Sequence, residues 1–109
     1  MTVYAKQLAQ TVLGTTAALL YTAPSETEGL LKDVVVANSG DASASVFLYL
    51  VKAGDTPGIG SVMLPGVAIA PGGIASWFGS QVLPPGAGLY AKATLPNCLT
   101  LTASGAEIT

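Results

Sequence analysis

The chain has no histidine and only one cysteine, Cys98. Histidine is the usual general base and the commonest metal ligand, so its absence removes most familiar catalytic and metal-binding arrangements. A lone cysteine can form neither an internal disulfide nor a cysteine-ligated metal site, and we interpret Cys98 as a small residue packed near a sheet. We therefore predict no catalytic residue, no metal, no cofactor and no enzymatic activity.

Charge is also scarce: only 9% of the residues are charged, there is no arginine, and the four basic residues are scattered lysines. Nucleic-acid binding depends on clustered Lys and Arg that displace counterions from the phosphates, so we predict no nucleic-acid partner. Glu26 and Glu28 share one turn and could act as a carboxylate pair, but the polar turn around them favours a solvated loop.

Long apolar runs are missing, although 50% of the residues are hydrophobic and the window from Thr56 to Ala91 carries no charge. Prolines and glycines interrupt this window throughout, and a membrane-spanning helix needs about 20 nearly continuous apolar residues. The first residues lack the basic start and apolar run of a signal peptide. We expect no membrane partner, and synthesis in the cytoplasm or export by a route without a cleaved signal.

What the sequence does contain is a series of turns rich in Gly, Pro, Asn and Asp, separated by short runs of β-branched and aromatic residues. This spacing predicts an all-β fold: a single β-sandwich, jelly-roll or immunoglobulin-like, with about seven or eight short antiparallel strands. A hairpin is expected at Gly40–Ser43. The clearest strands are predicted at Ala17–Ala23, Leu30–Asn38, Ser45–Lys52, Leu89–Thr94 and Cys98–Ser104.

The predicted strand Ser45–Lys52 is apolar on both faces. Val46 and Leu48 would lie on one face, and Phe47 and Tyr49 on the other. A two-layer sandwich covers only one face of each sheet. Either loops of the same chain cover the second face, or another subunit does.

Two further segments bear on the architecture. In residues 1–14, Tyr4, Leu8 and Val12 have helical spacing. Because the stretch is short and the rest of the chain is predicted to be all-β, we interpret it as an N-terminal strand or detached arm beside a sandwich domain at 15–109. Trp77 and Phe78 are adjacent, so in a strand they point to opposite faces. We expect one to anchor the core and the other to meet a partner or lie under a loop.

Several segments resemble small all-β virion proteins of tailed bacteriophages, of the capsid-decoration, head-fibre or minor-tail type. They are Leu20–Thr22 followed by Pro24, Asn38–Gly40, Val46–Leu50, Leu64–Gly73 and Val82–Thr94. The likeness spans nearly the whole chain. It implies a structural protein without catalytic groups, made in the host cytoplasm and located in the virion.

The resemblance favours a capsid decoration, or cement, protein that oligomerises on the head exterior, with trimers implied, and binds the major capsid protein. The alternatives are a tail or baseplate accessory protein that contacts host glycans, and a separate carbohydrate-binding module. Contact with copies or with the capsid is predicted for eight residues: Val3, Tyr4, Leu8, Val12, Phe47, Tyr49, Trp77 and Phe78.

Overall fold

Eight β-strands build the protein in the computed structural model, which describes residues 2–109. No helix in this range is long and apolar enough to cross a membrane. The strands are β1 (Val3–Val12), β2 (Ala18–Thr22), β3 (Glu28–Asn38), β4 (Ala44–Val51), β5 (Val62–Ile69), β6 (Ile74–Leu83), β7 (Gly88–Ala93) and β8 (Leu99–Ile108).

The strands form two antiparallel four-stranded sheets. Sheet A has the order β1-β8-β3-β6, and sheet B has the order β2-β7-β4-β5. Apart from the β4–β5 connection, every link between consecutive strands crosses from one sheet to the other. Two such sheets form an eight-stranded jelly roll, whereas immunoglobulin-like sandwiches have seven or nine strands. The predicted β-sandwich is confirmed, in its jelly-roll form.

The crossing connections correct one prediction. Residues Gly40–Ser43 do not form a hairpin, because β3 pairs with β6 and β8 in sheet A while β4 pairs with β5 and β7 in sheet B. Asn38 secures this crossover. Its buried side-chain amide donates to the carbonyl oxygens of Ala42 and Ile69, and its side-chain oxygen accepts from the amide of Gly40, each at 2.9 Å. A buried polar side chain is stable only when it is paired in this way.

The core lies between the sheets and is built from alternate residues of the strands. Leu48 and Val46 contribute from β4, and Val34 and Val36 from β3. Cys98 is also buried in this cluster. Alternate residues of β7 and β8 are buried in the same way: Leu89, Ala91, Ala93, Leu99, Leu101 and Ala103.

The N-terminal segment is an integral strand of the sandwich. β1 pairs antiparallel with β8 from Val3 to Val12, at the edge of sheet A. The register shifts between Gln7 and Ala9, so Leu8 is the extra residue of a bulge. Residues 3–12 therefore form an edge strand of sheet A.

Candidate assembly surface

The outer face of sheet B is covered in part by the protein's own chain, although Leu19 on β2 and Ile59 in the β4–β5 connection are 52% and 97% exposed. Tyr49 points outward from β4, yet only 8% of it is exposed. The connection between β4 and β5 returns over this face. Its residues Gly58 and Ile59 line an apolar pocket of about 270 Å³ together with Tyr49 and Phe47. Tyr49 is therefore buried within one subunit, beside an apolar pocket that the loop helps to line.

Phe47 is covered from two further directions. The Nζ atom of Lys92 lies 4.9 Å from the centre of the Phe47 ring, within the range of a cation–π interaction. On the other side the ring lies against Gly66, where an added Cβ would be only 3.0 Å away. Gly66 also has a φ of 77°, which disfavours any side chain there. Phe47 is consequently half-buried within one subunit.

The outer face of sheet A has no comparable cover. Residues directly opposite one another in antiparallel strands share a face, so the register defines three rows across the sheet. None of their members is buried, and Asp33 is the only charged one. We call these rows the A face: Val12, Thr100, Ala37 and Ile74; Gln10, Thr102, Val35 and Ser76; Gln7, Ser104, Asp33 and Phe78.

The edges of the two sheets differ as well. β2 has only 5 residues, β5 contains Pro65 and two register shifts, and β1 contains Lys6 and one shift. Short length, proline, lysine and bulges are the usual devices that keep an edge strand from pairing with another chain. β6 also has one register shift, but its 10 residues include neither charge nor proline, and its Ile74 and Phe78 are 66% and 78% exposed.

The eight residues predicted from the sequence fall into three groups. Val3, Tyr4, Val12 and Phe78 are exposed on sheet A. Phe47 and Trp77 are half-buried, and Trp77 packs against the core while Phe78 points away from it, as expected for adjacent residues of one strand.

Two of the eight need correction, because Leu8 and Tyr49 are buried within the subunit and offer no contact surface. Leu8 is 7% exposed, since the β1 bulge turns it into the core, and Tyr49 is closed over by the β4–β5 loop. Sequence reasoning missed Ile74, which lies on the same face as Phe78. The alternate positions of Ile74, Ser76 and Phe78 in the sequence could have indicated that they share one face of a strand.

One polar cluster joins the two sheets at the end of the sandwich. The hydroxyl of Tyr21 on β2 donates to Oε2 of Glu107 on β8 at 2.5 Å, and Nζ of Lys6 on β1 donates to the same oxygen at 3.2 Å. These partners, Tyr21 first, hold the pKa of Glu107 below its usual value. Burial, and then the Glu107 carboxylate, raise the pKa of Tyr21. The cluster contains no nucleophile and base pair, and it acts as a link between sheets A and B.

A cleft lies between the β4–β5 loop and the β6–β7 turn. Its volume is about 540 Å³, and Lys52, Asp55 and Ser61 are among its lining residues. None of the lining side chains is aromatic, so the cleft lacks the flat ring on which a sugar stacks. Within residues 2–109, no three His, Cys, Asp or Glu side chains lie close enough together to hold a metal ion.

Comparison with known proteins gives structural likeness only. No known protein family matches the sequence, and no curated protein does. A chain of the Bacillus endospore appendages, described as disulfide-linked pili, is 15% identical with a TM-score of 0.51 over 99% of this chain and 88% of that one.

A chain from infectious bursal disease virus, Gx strain, is 13% identical with a TM-score of 0.52. The match covers 97% of this protein but only 32% of the viral chain. At such identities the likeness establishes the fold, and function has to be argued from the surface.

Proposed function

We propose that the protein is a structural subunit of a virus particle, and specifically a decoration protein that binds the outside of a bacteriophage head together with copies of itself. The observation that carries the proposal is the A face, three rows of exposed or half-buried residues with a single charge among them. On the opposite outer face, Tyr49 is buried next to the protein's own β4–β5 loop.

Low charge suits a surface that becomes buried on assembly. Removing a charged group from water is costly unless it is well paired, and interface cores are depleted in charged residues. The A face has Thr, Ser, Gln and Val side chains at its centre, with Ile74 and Phe78 toward the β6 edge. Such a face remains soluble in the free subunit and loses little solvation energy when it meets a shell of capsid proteins.

The fold supports this proposal without deciding it. Jelly rolls are common in viral capsid proteins, and they also occur in lectins and cupins. The viral chain and the pilus chain that match this protein share its fold at low identity. The choice of a phage head rests on the resemblance of the sequence segments described above, and the same resemblance includes tail proteins.

A second candidate is the subunit of a fibre, because the likeness to the pilus chain covers almost the full length of both proteins. That pilus family is disulfide-linked, whereas the single cysteine here, Cys98, is buried in the core. A fibre of this protein would have to be held by non-covalent contacts. Carbohydrate binding is less favoured, since Tyr49 is buried and Trp77 packs against the core.

The location of the protein in a native particle tests the proposal. Particles purified from the source of the chain would be analysed by quantitative mass spectrometry and by electron microscopy with gold-labelled antibodies. Hundreds of copies over the head are expected of a decoration protein. A few copies at the tail tip would contradict the proposal and indicate a tail protein. Labelled filaments without capsids would contradict it and indicate a fibre subunit.

Capture of the pure protein by capsids that lack it tests the role of the A face. Thr102→Lys places a charge at the centre of the A face and is expected to abolish capture. Thr22→Lys makes the same change on β2, an exposed position of sheet B, and is expected to leave capture intact. Equal capture of both variants would show that the A face is not the contact surface.

A further inference from the structure

The outer edge of β6 is the feature of the surface that most closely specifies a partner. β6 pairs only with β3, so alternate backbone N–H and C=O groups along its other side have no partner strand. Groups in this arrangement bind one kind of occupant, an extended chain that adds another strand to the sheet. The absence of charge and proline from β6 leaves this edge open to such pairing.

A bulge limits the straight part of the edge. The β3–β6 register is regular from Ile74 to Phe78 and shifts before Gln81, where Asp33 opposes Phe78 and Leu31 opposes Gln81. Gly73 accepts from Asn38 and closes the turn at the other end of this segment. The regular segment is therefore Ile74–Phe78, and Ser76 is its midpoint.

We propose that β6 pairs antiparallel with β6 of a second copy about a two-fold axis at Ser76, which joins the two A sheets into one continuous sheet. This inference rests on the proposed function, since it names a contact by which copies of an assembly subunit join. Residues opposite one another share a face. Ser76 would oppose Ser76 of the partner subunit, and Ile74 would oppose Phe78 of the partner subunit.

In this register, the side chains of the segment in one copy complement those of the second copy. On the outer face the exposed Ile74 meets an exposed phenylalanine, and apolar pairs of this type stabilise neighbouring strands. On the inner face the large Trp77 meets the small Ala75. A register centred on Trp77 would instead set two indoles against each other and reach the bulge. No charge opposes a like charge in the segment, which is a second reason to favour another copy of this chain as occupant.

The contact is small. Stable interfaces bury about 1,600 Å² in total, more than five paired residues on each side can supply. We therefore expect weak dimers in dilute solution and firm pairing where a particle surface concentrates the subunits. The β6 contact alone gives a dimer. The trimer implied by the sequence resemblance would need an additional three-fold contact.

Engineered cysteines test this register directly. Opposite residues of antiparallel strands have Cα atoms about 4.5–5.5 Å apart, within the range of a disulfide. Ser76→Cys would place its two thiols face to face, whereas the thiols of Ile74→Cys would be about 13 Å apart in the same dimer. The unmodified protein is a suitable negative control, because its single cysteine, Cys98, is buried.

Under mild oxidation, Ser76→Cys is expected to form covalent dimers about tenfold faster than Ile74→Cys. The double variant Ile74→Cys with Phe78→Cys is expected to regain fast dimer formation, since its thiols oppose one another. Equal rates for Ser76→Cys and Ile74→Cys would overturn the proposed register. Covalent capture of a capsid protein by Ser76→Cys, without homodimers, would assign the edge to that protein and overturn self-pairing.

Sedimentation and capsid capture of the unmodified protein separate this inference from the proposed function. Self-association or capture together with slow cross-linking of Ser76→Cys would leave the assembly function in place and move its contact elsewhere. Fast cross-linking of Ser76→Cys with no binding to capsids would support the β6 contact and contradict the decoration role.

Discussion

The two outer faces of the sandwich differ in how far their apolar residues are covered within one subunit. Both carry apolar residues, but sheet B folds the β4–β5 loop over Tyr49 and places Lys92 against Phe47, whereas the A face stays open. Apolar area left in water loses about 25 cal/mol for each Å² that could have been buried. At Tyr49 that energy is recovered within one subunit, whereas Ile74 and Phe78 on sheet A can recover it only by association.

This contrast shows that an apolar outer face is not by itself a sign of assembly. Phe47 and Tyr49 share a face of one strand, and their cover comes from residues 52–61 and from Lys92 on β7. On the A face, the corresponding rows end at β6, an edge with exposed Ile74 and Phe78. The A face indicates a partner because it is open and because it ends at an edge strand without charge or proline.

The largest expected effect comes from removing the covered tyrosine. Tyr49→Ala should lower the free energy of unfolding by about 3 kcal/mol, because it leaves a cavity between β4 and its loop. Tyr4→Ala removes the same side chain from a β1 position that is 55% exposed, and should cost less than about 1 kcal/mol. Urea denaturation of both variants measures the difference. Equal losses would mean that the two sheets do not differ in cover.

Replacing Gly66 should have the next largest effect. Gly66→Ala combines a positive φ with a contact to the Phe47 ring, and should cost about 2–3 kcal/mol. Gly72→Ala is the matched control, since its φ of 75° is similar but nothing lies within 4 Å of an added Cβ. It should cost about 1 kcal/mol from backbone strain alone. If thermal unfolding gives both variants the same cost, Phe47 is not held against Gly66.

A smaller effect is expected at the link between the sheets. Tyr21→Phe keeps the ring but removes the hydroxyl that donates to Glu107, and should lower Tm by a few degrees at neutral pH. Because the pKa of Tyr21 is raised in the folded state, its contribution is complete below its ordinary pKa of 10.0 and declines as pH rises above it.

Glu107 affects the dependence of stability on pH at the acid end, opposite to Tyr21. Its pKa is lowered, so its contribution is present above the ordinary carboxyl pKa and is lost as pH falls through the lowered value. Plots of Tm against pH should therefore be shallower at both extremes for Tyr21→Phe than for the unmodified protein. Parallel profiles would show that the cluster does not couple the sheets.

The smallest effect concerns the lysine over Phe47. Lys92→Met keeps an unbranched apolar side chain but removes the charge, and should cost about 0.5 kcal/mol from the cation–π interaction. Lys52→Met alters an exposed lysine of the β4–β5 loop and should be nearly neutral. Chemical denaturation at low and high salt compares the pair, and a neutral Lys92→Met would remove this lysine from the cover of sheet B.

Most strands were predictable because their signals are local. The alternation of Leu99, Leu101 and Ala103 with threonines fixes a half-buried strand wherever it pairs. Pairing partners are not local, which is why Gly40–Ser43 was wrongly predicted as a hairpin. β3 and β4 are consecutive in sequence, yet Asn38 anchors a crossover between sheets. No periodicity in the sequence reports which sheet the next strand joins.

The surface was predictable where it depends on a local property, the direction of a side chain along a strand. Opposite directions for Trp77 and Phe78 follow from strand geometry, whichever sheet holds them. The burial of Leu8 depends on a bulge opposite β8, and that of Tyr49 depends on where a ten-residue loop, 52–61, comes to rest. Both are tertiary effects, and neither leaves a local pattern that separates a covered residue from an exposed one.

Hydrogen exchange at low and high protein concentration, and on assembled particles, tests the central contrast most directly. Open edges become protected when a strand is added, whereas closed regions do not change. Association should protect the alternate amides of the Ile74–Phe78 segment that point away from β3, and leave those of β5 unchanged. Protection of β5 and the β4–β5 loop, with β6 exchanging as in the free subunit, would contradict the assignment of sheet A as the side that meets other subunits.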